Sequence, residues 1–498
     1  MMNLKMTIHD IKSISNLEFT FPLKTGLYAI TGENATGKST LITCAATVFY
    51  NLSMEEHFGT PNEDAFIRFE LNESQREWTY KNKKWNAYSS DSKMKINGFY
   101  EGSLIFGNRF RNTNRKVLKL LDTMNENDMQ IADQFIRENL GLILHNDSDY
   151  YDALFYLKPE TARTRGINGS SYFIKREGKL ISQARMSTGE NLLLSILNSI
   201  FILYKKRKNN SDGRPCIVFL DEIEFALHAS ALRRLVDFLH KMAEEADLAI
   251  YFSTHSIELI RTIKPQNIFY LSKNFSDDII VTNPCYPAYA TKNLYSDDGF
   301  GNDVVVLVED DLAKLVFERV LIEKSLKNNM HVKVLPTGGW TNTIEMAFDI
   351  TTSGILMKGT RLLIVLDRDI KDDVPIYLSS HKQYRGLAID YLPITSLEKY
   401  LKHLLIDDYN HEFFSLLDNY VFVGKPLTNT LHEYKKAIKG KKDDDKNGKT
   451  LYGFLIGALH SVKKDREDLV DIVMRYLEKH DDGLIEKLAD YFTQKTKY

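Results

Sequence analysis

Cysteine and long apolar segments are scarce in this 498-residue sequence. Its three cysteines, Cys44, Cys216 and Cys285, have no metal-ligand spacing, and the apolar contexts of Cys44 and Cys216 indicate buried thiols. Free thiols are typical of a reducing compartment, so we expect a cytoplasmic protein without a disulfide scaffold. The longest apolar stretch, at 192–204, is too short and too interrupted to span a membrane. The first five residues lead into a predicted strand, so we also expect no secretory signal.

Net charge is nearly zero, because 65 Lys and Arg residues are balanced by 67 Asp and Glu residues, for a formal charge of −2. A chain without a basic excess can bind nucleic acid only through local patches. The candidates are the lysine-rich runs at 205–208 and 435–442, although each also fits a solubilising loop. A hydrophobic content of 43% and the chain length suit a globular protein of two or three domains.

Residues 32–39, Gly-Glu-Asn-Ala-Thr-Gly-Lys-Ser, have the spacing of a phosphate-binding loop. Gly32 and Gly37 let the backbone curl so that its N–H groups point at the phosphates. Lys38 would reach the β- and γ-phosphates, and the Ser39 hydroxyl would ligate Mg²⁺. The motif therefore predicts a site for a nucleoside triphosphate, with ATP and Mg²⁺ as the expected ligands.

The neighbours of this loop fit the same interpretation. A short strand is predicted at 26–31 and an apolar helix at 40–50. This strand–loop–helix context aims a helix N-terminus at the bound anion. Asn34, inside the loop, and Thr40, directly after it, are further candidate nucleotide contacts.

Two apolar segments further along the chain end in polar residues suited to phosphate chemistry. The segment at 215–220 is followed by Asp221, which would hold the Mg²⁺ shell, and by Glu222, which would polarise the attacking water. The alternative is a buried strand that merely ends in an Asp-Glu turn. The predicted strand at 250–254 is followed by His255, at the place of a γ-phosphate sensor.

Between these motifs lies Met-Ser-Thr-Gly-Glu-Asn at 186–191, followed by an apolar helix. The order of all four motifs resembles the ABC-type ATPases of the RecF/SMC/Rad50 class. The resemblance implies that Ser187, Gly189 and Glu190 of one chain cap the nucleotide held by a second chain. The alternative is that Ser187 and Glu190 form only a capping box at a helix start.

The same resemblance implies that His255 is the switch histidine and that residues 223–228 lie at the seam of a homodimer. A glutamine loop is expected in such proteins, and the sequence has no convincing one. Asn108 and Arg109 lie in the corresponding region.

The last third of the chain alternates predicted strands and helices. Strands are predicted at 303–309, 331–335 and 361–366, with helices at 312–327 and 343–357. This alternation is typical of a parallel sheet, whose sites lie at the carboxyl ends of its strands.

Glu309, Asp367 and Asp369 follow two of these strands and should therefore converge. Three carboxylates in one place repel one another unless a hard cation neutralises them, which predicts Mg²⁺ or Mn²⁺. The alternative for Asp367 and Asp369 is a solvated turn.

This region resembles the TOPRIM fold of topoisomerases, primases and certain nucleases. The chain has Glu309-Asp310 where Glu-Gly is usual, and Ala313 where the nucleases often have an acid, so Asp310 or Asp311 is an alternative ligand. Glu398 resembles the downstream acid of TOPRIM nucleases and is a further candidate metal ligand, or else an exposed helix glutamate.

An ATPase head followed by TOPRIM resembles the OLD family of nucleases, whose members include Gabija and some retron effectors of anti-phage defence. The family uses a lysine downstream of the metal site. Lys449 is the candidate, with Lys446 and Lys442 close by. The alternative is that the charge-mixed run at 435–449 is a solvated loop.

We therefore expect an α/β fold with an ABC-type ATPase domain at 1–300, a TOPRIM domain at 301–400 and a mostly helical region at 401–498. Residues 112–182 are expected to form an inserted helical or dimerisation element, with helices predicted at 117–121 and 129–140. Residues 293–302 are expected to form a linker. The predicted function is a homo-oligomeric ATPase controlling a metal-dependent DNA nuclease, with no membrane partner.

Two other functions stay open. In one, the TOPRIM site is degenerate and the ATPase acts as a sensor through a partner, such as a reverse transcriptase with its RNA–DNA product. In the other, the substrate is RNA, such as tRNA.

Overall fold

The structure is a computed structural model that describes residues 2–49, 54–89, 94–102, 115–167, 171–209, 213–274, 278–292, 301–356, 359–439, 445–480 and 483–497. The chain divides into two compact units, Met1–Asp298 and Gly299–Tyr498. Asn108, Arg109, Lys442 and most of the predicted linker lie outside the described residues. Within the described ranges, every helix is too short or too polar to pass through a bilayer.

The first unit mixes strands and helices along its whole length. Its strands are β1 (Asn3–Ile11), β2 (Ile14–Pro22), β3 (Gly26–Gly32), β4 (Phe66–Leu71), β5 (Ser74–Lys81), β6 (Lys84–Ser89), β7 (Asn97–Glu101), β8 (Met129–Ile131), β9 (Leu154–Leu157), β10 (Tyr172–Arg176), β11 (Lys179–Ser182), β12 (Cys216–Leu220), β13 (Leu248–Ser253), β14 (Ile268–Lys273) and β15 (Ile279–Thr282). Its helices are α1 (Lys38–Ala46), α2 (Met54–Phe58), α3 (Arg115–Leu121), α4 (Gln134–His145), α5 (Pro159–Thr164), α6 (Thr188–Asn209), α7 (Ala229–Ala246), α8 (Ile257–Ile260) and α9 (Pro287–Thr291).

The central sheet of this unit has the strand order β15-β14-β3-β13-β12-β7 among the described residues. Strands β14, β3, β13, β12 and β7 are parallel, whereas β15 pairs antiparallel with β14. Strands β12 and β13 are apolar and buried throughout because the sheet is covered on both faces. The carboxyl ends of β3, β13 and β12 therefore share one edge, where functional residues are expected.

The two faces of the central sheet pack against different layers. One core contains buried residues of α4, α6 and α7. The other contains α1 and the antiparallel sheet β2-β1-β4-β5-β6, whose Phe19 and Phe21 contact Phe269, Phe219 and Tyr251 of the central sheet. The phosphate-loop helix α1 is thus held between two sheets.

The helix after the phosphate loop is shorter than predicted, since α1 ends at Ala46 and not near residue 50. The Thr47 backbone N–H and hydroxyl both donate to the carbonyl of Cys44, at 3.1 and 2.7 Å. These i to i−3 bonds tighten the last turn and stop the helix.

The predicted helical insertion at 112–182 is only partly helical. Helix α3 lies where one was expected, but Met129–Ile131 is strand β8, and a four-stranded antiparallel sheet of order β11-β10-β9-β8 occupies much of the segment. The neighbouring helix α4 begins only at Gln134, because the Asp133 side chain caps it by accepting from Phe135 N.

The second unit is a parallel sheet with helices around it. Its strands are β16 (Val304–Val308), β17 (Val332–Pro336), β18 (Arg361–Leu366) and β19 (Ile389–Tyr391), in the order β17-β16-β18-β19. Its helices are α10 (Asp311–Glu323), α11 (Trp340–Ser353), α12 (Asp373–Ser380), α13 (Leu397–Lys402), α14 (His411–Tyr420), α15 (Leu427–Ile438), α16 (Lys449–Ser461), α17 (Arg466–His480) and α18 (Leu484–Thr496). The three predicted strands lie within two residues of β16, β17 and β18.

Most of the described residues after 400 are helical, and they belong to the same compact unit as the parallel sheet. Helix α17 packs against α10, and α16 packs against α13. Part of the predicted solvated loop at 435–449 is helix, because Lys435 and Lys436 lie in the last turn of α15 and Lys449 begins α16.

The basic run at 205–208 is also helical and forms the end of α6. Lys205 pairs with Asp133, Lys206 donates to Asn97, and Arg207 pairs with Asp247. This run is therefore engaged with its own chain, which weakens its case as a nucleic-acid patch.

Candidate functional site

The phosphate loop joins β3 to α1 through two glycines in conformations that other residues rarely adopt. Gly32 has φ +147° and lies so close to β14 that a Cβ would meet the Leu271 carbonyl oxygen at 2.2 Å. Gly37 is left-handed at φ +84° and sits directly before α1, whose start has no side-chain cap. The uncapped N–H groups of this helix start are free to bind an anion.

Lys38 is buried and bends back over the loop. Its Nζ donates to the carbonyls of Gly32 and Glu33 at 3.1 and 2.7 Å. Burial lowers the pKa of Lys38 to about 8, although the carboxylates of Glu222, Asp221 and Glu224 oppose that shift. A phosphate bound beside Lys38 would stabilise its buried positive charge, in agreement with the predicted nucleotide site.

Asp221 and Glu222 follow β12 at the same sheet edge, as the sequence predicted. Asp221 is 2% exposed, and its carboxylate accepts a hydrogen bond from the Ser253 hydroxyl at the end of β13. The Ser253 oxygen in turn accepts from the Glu222 N–H at 3.0 Å. Glu222 is left-handed at φ +54°, a strained conformation for a non-glycine residue that is common at functional sites.

Glu224 organises the turn that carries His255, a role that sequence reasoning missed. Its Oε1 accepts from the Thr254 hydroxyl at 2.9 Å and from the His255 N–H at 2.7 Å. Burial and the charge of Lys38 both lower the pKa of His255, so its ring is neutral at pH 7. A carboxylate two residues after Glu222 was the sequence signal for this contact.

The motif around Ser187 is a reciprocal turn at the start of α6. The Glu190 Oε2 accepts from the Ser187 N–H at 3.0 Å and from its hydroxyl at 2.8 Å, and the Glu190 N–H lies 3.3 Å from Ser187 Oγ. The capping box that the sequence left as an alternative is therefore present. Gly189 is required for packing, since a Cβ there would meet the Ala226 carbonyl oxygen at 2.8 Å.

Glu190 is 4% exposed and has two further partners that sequence reasoning missed. The Tyr151 hydroxyl and the Arg176 guanidinium donate to its Oε1 at 2.7 and 2.5 Å. Burial alone would raise the pKa of Glu190, but the bonds from Tyr151 and Ser187 outweigh it and the pKa is lowered. Glu190 is therefore ionised at neutral pH.

At the second candidate site, Glu309 and Asp367 meet at the carboxyl ends of β16 and β18. The Asp367 N–H donates to Glu309 Oε1 at 3.0 Å, and the N–H groups of Gly338 and Gly339 donate to the Glu309 carbonyl. Asp367 is 6% exposed, and burial with the nearby charges of Glu309 and Asp310 raises its pKa to about 8. The convergence of these two acids was predicted.

Asp369 has a cationic partner, Lys399, that sequence reasoning did not identify. Lys399 directly follows Glu398 in the chain. The Asp369 Oδ2 forms an ion pair with Lys399 Nζ. Across the described ranges, no three His, Cys, Asp or Glu side chains are arranged to hold a metal ion. The predicted ligands Glu309 and Asp367 are in contact, and Lys399 neutralises the charge of Asp369.

The other acids predicted for this site differ in their surroundings. Asp310 Oδ1 caps α10 by accepting from Leu312 N and Ala313 N, both at 2.9 Å, and Asp311 is exposed. Glu398 is 9% exposed, and burial raises its pKa although the charge of Lys449 opposes that shift. Glu398 is therefore a buried acid and not the exposed helix glutamate of the alternative.

Lys449 is brought to Glu398 by the start of α16. The buried Asp445 accepts from the N–H groups of Thr450 and Leu451 at 2.9 Å, which anchors this helix start. Gly448 then passes so close that a Cβ would meet the Glu398 carbonyl oxygen at 2.2 Å. Lys446, the second candidate lysine, is exposed.

One comparison with known families matches part of the first unit. A family described as an AAA domain matches residues 5–208. No curated protein matches the sequence.

Among solved structures, the chain is similar to an Smc head domain with a coiled coil and joint derived from Pyrococcus yayanosii, at 11% identity and a TM-score of 0.40, over 59% of this chain and 99% of that one. It is similar to an SmcHead bound to the C-winged helix domain of ScpA, at 14% identity and a TM-score of 0.37, over 56% and 97%. It is also similar to the recombination mediator protein RecF with ATP, at 14% identity and a TM-score of 0.33, over 56% and 98%. The match to the AAA domain family lies within the first unit of the chain.

Proposed function

We propose that this protein binds and hydrolyses ATP at the carboxyl edge of the central sheet. The observation that carries the proposal is the meeting of Lys38, Asp221, Glu222 and His255 at the ends of three parallel strands. Lys38 holds the β- and γ-phosphates, and the α1 N-terminus adds its N–H donors. When bound, Mg²⁺ neutralises phosphate charge, and Ser39 and Asp221 are the residues suited to hold it.

Glu222 and His255 act on the reacting end of the nucleotide in this proposal. Glu222, whose backbone is left-handed, orients the attacking water in this role. His255 is neutral and can donate a hydrogen bond to the γ-phosphate from one ring nitrogen.

The site is completed by a second copy of the chain, in keeping with the resemblance to RecF/SMC/Rad50 ATPases. Ser187 is exposed, and the start of α6 is tied to Glu190 so that the Ser187 side chain is fixed in place. In the assembled homodimer, Ser187 and Gly189 approach the nucleotide of the partner.

We further propose that ATP turnover controls DNA cleavage at the acidic site of the second unit. The support is the contact between the half-buried Glu309 and the buried Asp367, together with the charge of Lys449 beside the buried Glu398, in keeping with the OLD-like pattern of the sequence. A divalent cation would supply activation of water and stabilisation of the leaving oxygen. Lys449 would then face the scissile phosphate. A defence role and a reverse-transcriptase partner are parts of this proposal that rest on the resemblance.

A second candidate is an ATPase whose acidic site does not cut. The ion pair between Lys399 and Asp369 favours this function, because it neutralises the charge of Asp369 without a cation. The chain would then act through a partner.

One experiment separates these functions. Purified protein is incubated with plasmid, single-stranded DNA and tRNA, with Mg²⁺ or Mn²⁺ and with or without ATP, beside a measurement of ATP turnover. We expect DNA cleavage by the wild type, none by Asp367→Ala, and equal ATP turnover by both. Cleavage of tRNA alone would change the substrate class, and equal cleavage by a folded Asp367→Ala protein would refute the acidic site as the nuclease centre.

A further inference from the structure

A cavity of about 660 Å³ opens in front of the Ser187 turn. Its lining combines cationic, aromatic and hydroxyl side chains, namely His145, Tyr151, Arg176, Ser187, Phe225 and His228. Among the described residues that line it, none belongs to the phosphate loop of the same chain. A nucleotide in this cavity would therefore need a phosphate loop from another molecule.

Arg176 and Ser187 both donate hydrogen bonds to one carboxylate, that of Glu190. Its Nη2 donates to Glu190 Oε1 at 2.5 Å, while Glu190 Oε2 accepts from the Ser187 hydroxyl at 2.8 Å. The Arg176 side chain is 42% exposed although Glu190 is buried. A guanidinium has five N–H donors in a fixed fork, so one bond to Glu190 leaves donors for a second anion.

The negative charge of Glu190 at the Ser187 turn has to be neutralised before a phosphate can bind there. Glu190 is ionised and lies at the start of α6, where it would repel an incoming phosphate. Arg176 neutralises it, which leaves the positive end of the 22-residue helix unopposed. Arg176 and the helix start thus offer charge to the same cavity.

We propose that Arg176 contacts the triphosphate of a nucleotide bound to the phosphate loop of a second copy of this chain. The inference rests on the composite site proposed above and adds a residue from β10 to it. Removal of one charge-assisted hydrogen bond would slow ATP turnover by about 10- to 100-fold. The affinity of an isolated chain for ATP would not change, because its own phosphate loop is intact.

The test mixes differently tagged variants and isolates the mixed dimers. Each mixed dimer has one Lys38→Ala chain and one Arg176→Met chain. If each composite site takes its phosphate loop from one chain and Arg176 from the other, one site carries neither change and the other carries both. If Arg176 acts on the partner's nucleotide, these dimers regain ATP turnover that neither variant has alone. If Arg176 serves its own phosphate loop, both sites are inactive and no turnover returns.

Dimers of Lys38→Ala with Ser187→Arg chains separate this inference from the proposed function. Recovery with Ser187→Arg but not with Arg176→Met would overturn the role of Arg176 and leave the composite site intact. Recovery with neither would overturn both. Wild-type turnover by the Arg176→Met homodimer would also overturn the inference.

Arg165, exposed after α5, provides the matched control, and Arg165→Met should turn over ATP like the wild type. Thermal unfolding shows whether Arg176→Met is folded. If it is not, Arg176→Lys keeps the charge beside Glu190 but loses the fork, and it should show the same pattern of recovery with a smaller loss. Wild-type turnover by Arg176→Lys together with failure of the mixed dimers would refute the inference.

Discussion

At the scale of single residues, Lys38 and Glu222 should separate ATP binding from ATP hydrolysis. Lys38→Ala removes the cation that meets the phosphates, so we expect binding to be lost. Glu222→Gln keeps the shape but cannot polarise water, so binding should persist and turnover should fall by at least about 100-fold. Calorimetry with Mg-ATP and a phosphate-release assay measure the two quantities.

The matched control is Lys241→Ala, which removes an exposed lysine from α7 and should leave both quantities unchanged. Equal ATP affinity in wild type and Lys38→Ala would refute the assignment of the phosphate loop.

Asp367 should make the stability of the protein depend on pH. The unfolded chain loses the Asp367 proton near its ordinary pKa of 3.8, whereas the folded chain keeps it to about 8. The folded state binds more protons in this interval, so its stability falls as pH rises through it. Asp367→Asn should therefore unfold at a higher temperature than the wild type, by a margin that grows from pH about 4 to about 8.

The exposed Asp372 gives the control, since Asp372→Asn should follow the wild-type curve at every pH. Mn²⁺ should raise the unfolding temperature of the wild type more than that of Asp367→Asn if the acids hold a cation. Identical pH curves for wild type and Asp367→Asn would show that Asp367 is not buried among acids.

The sequence predicted the residues of both sites better than their contacts. Asp221, Glu222 and His255 could be found because each follows an apolar segment. The partnerships of Glu190 with Arg176 and of Asp369 with Lys399 could not, since each joins residues 14 or 30 positions apart through tertiary packing. Periodicity along the chain carries no information about such pairs.

At the scale of elements, Gly448 should be essential for the position of α16. Its φ of +71° and the approach to Glu398 leave no room for a Cβ. Gly448→Ala should destabilise the second unit by more than about 1 kcal/mol and move Lys449 away from Glu398. Urea unfolding measures the first effect.

Gly453 lies in the same helix with open space around it. Gly453→Ala should therefore be neutral or stabilise the protein by about 0.5–1 kcal/mol. A Gly448→Ala protein as stable as Gly453→Ala would contradict the packing of α16 on α13.

The strands predicted for the parallel sheets lie within about two residues of β3, β12, β13, β16, β17 and β18, because buried strands are continuous apolar runs. Strands β7, β14 and β19 of these sheets were not predicted, and Met129–Ile131 was predicted as helix but is a strand. Its apolar residues continue into those of α4, and the break is set by the cap at Asp133 and by pairing with β9. A three-residue strand stabilised by a distant partner gives no periodic signal.

At the scale of the whole molecule, turnover should depend on association. If Ser187 completes the site of a second copy, the ATP turnover rate per chain should rise with protein concentration until dimers are saturated. Ser187→Arg should give a low rate at every concentration. Light scattering beside turnover provides the measurement, and a constant rate per chain across the monomer–dimer transition would contradict the composite site.

The two hydrogen bonds that Glu224 accepts would link association of two chains to the nucleotide site. One oxygen of Glu224 is shared by Thr254 and His255, and the next residue, Phe225, is 70% exposed. If the proposed partner contacts Phe225, we expect that contact to act on His255 through the Glu224 carboxylate. A single chain would then turn over little ATP before it associates.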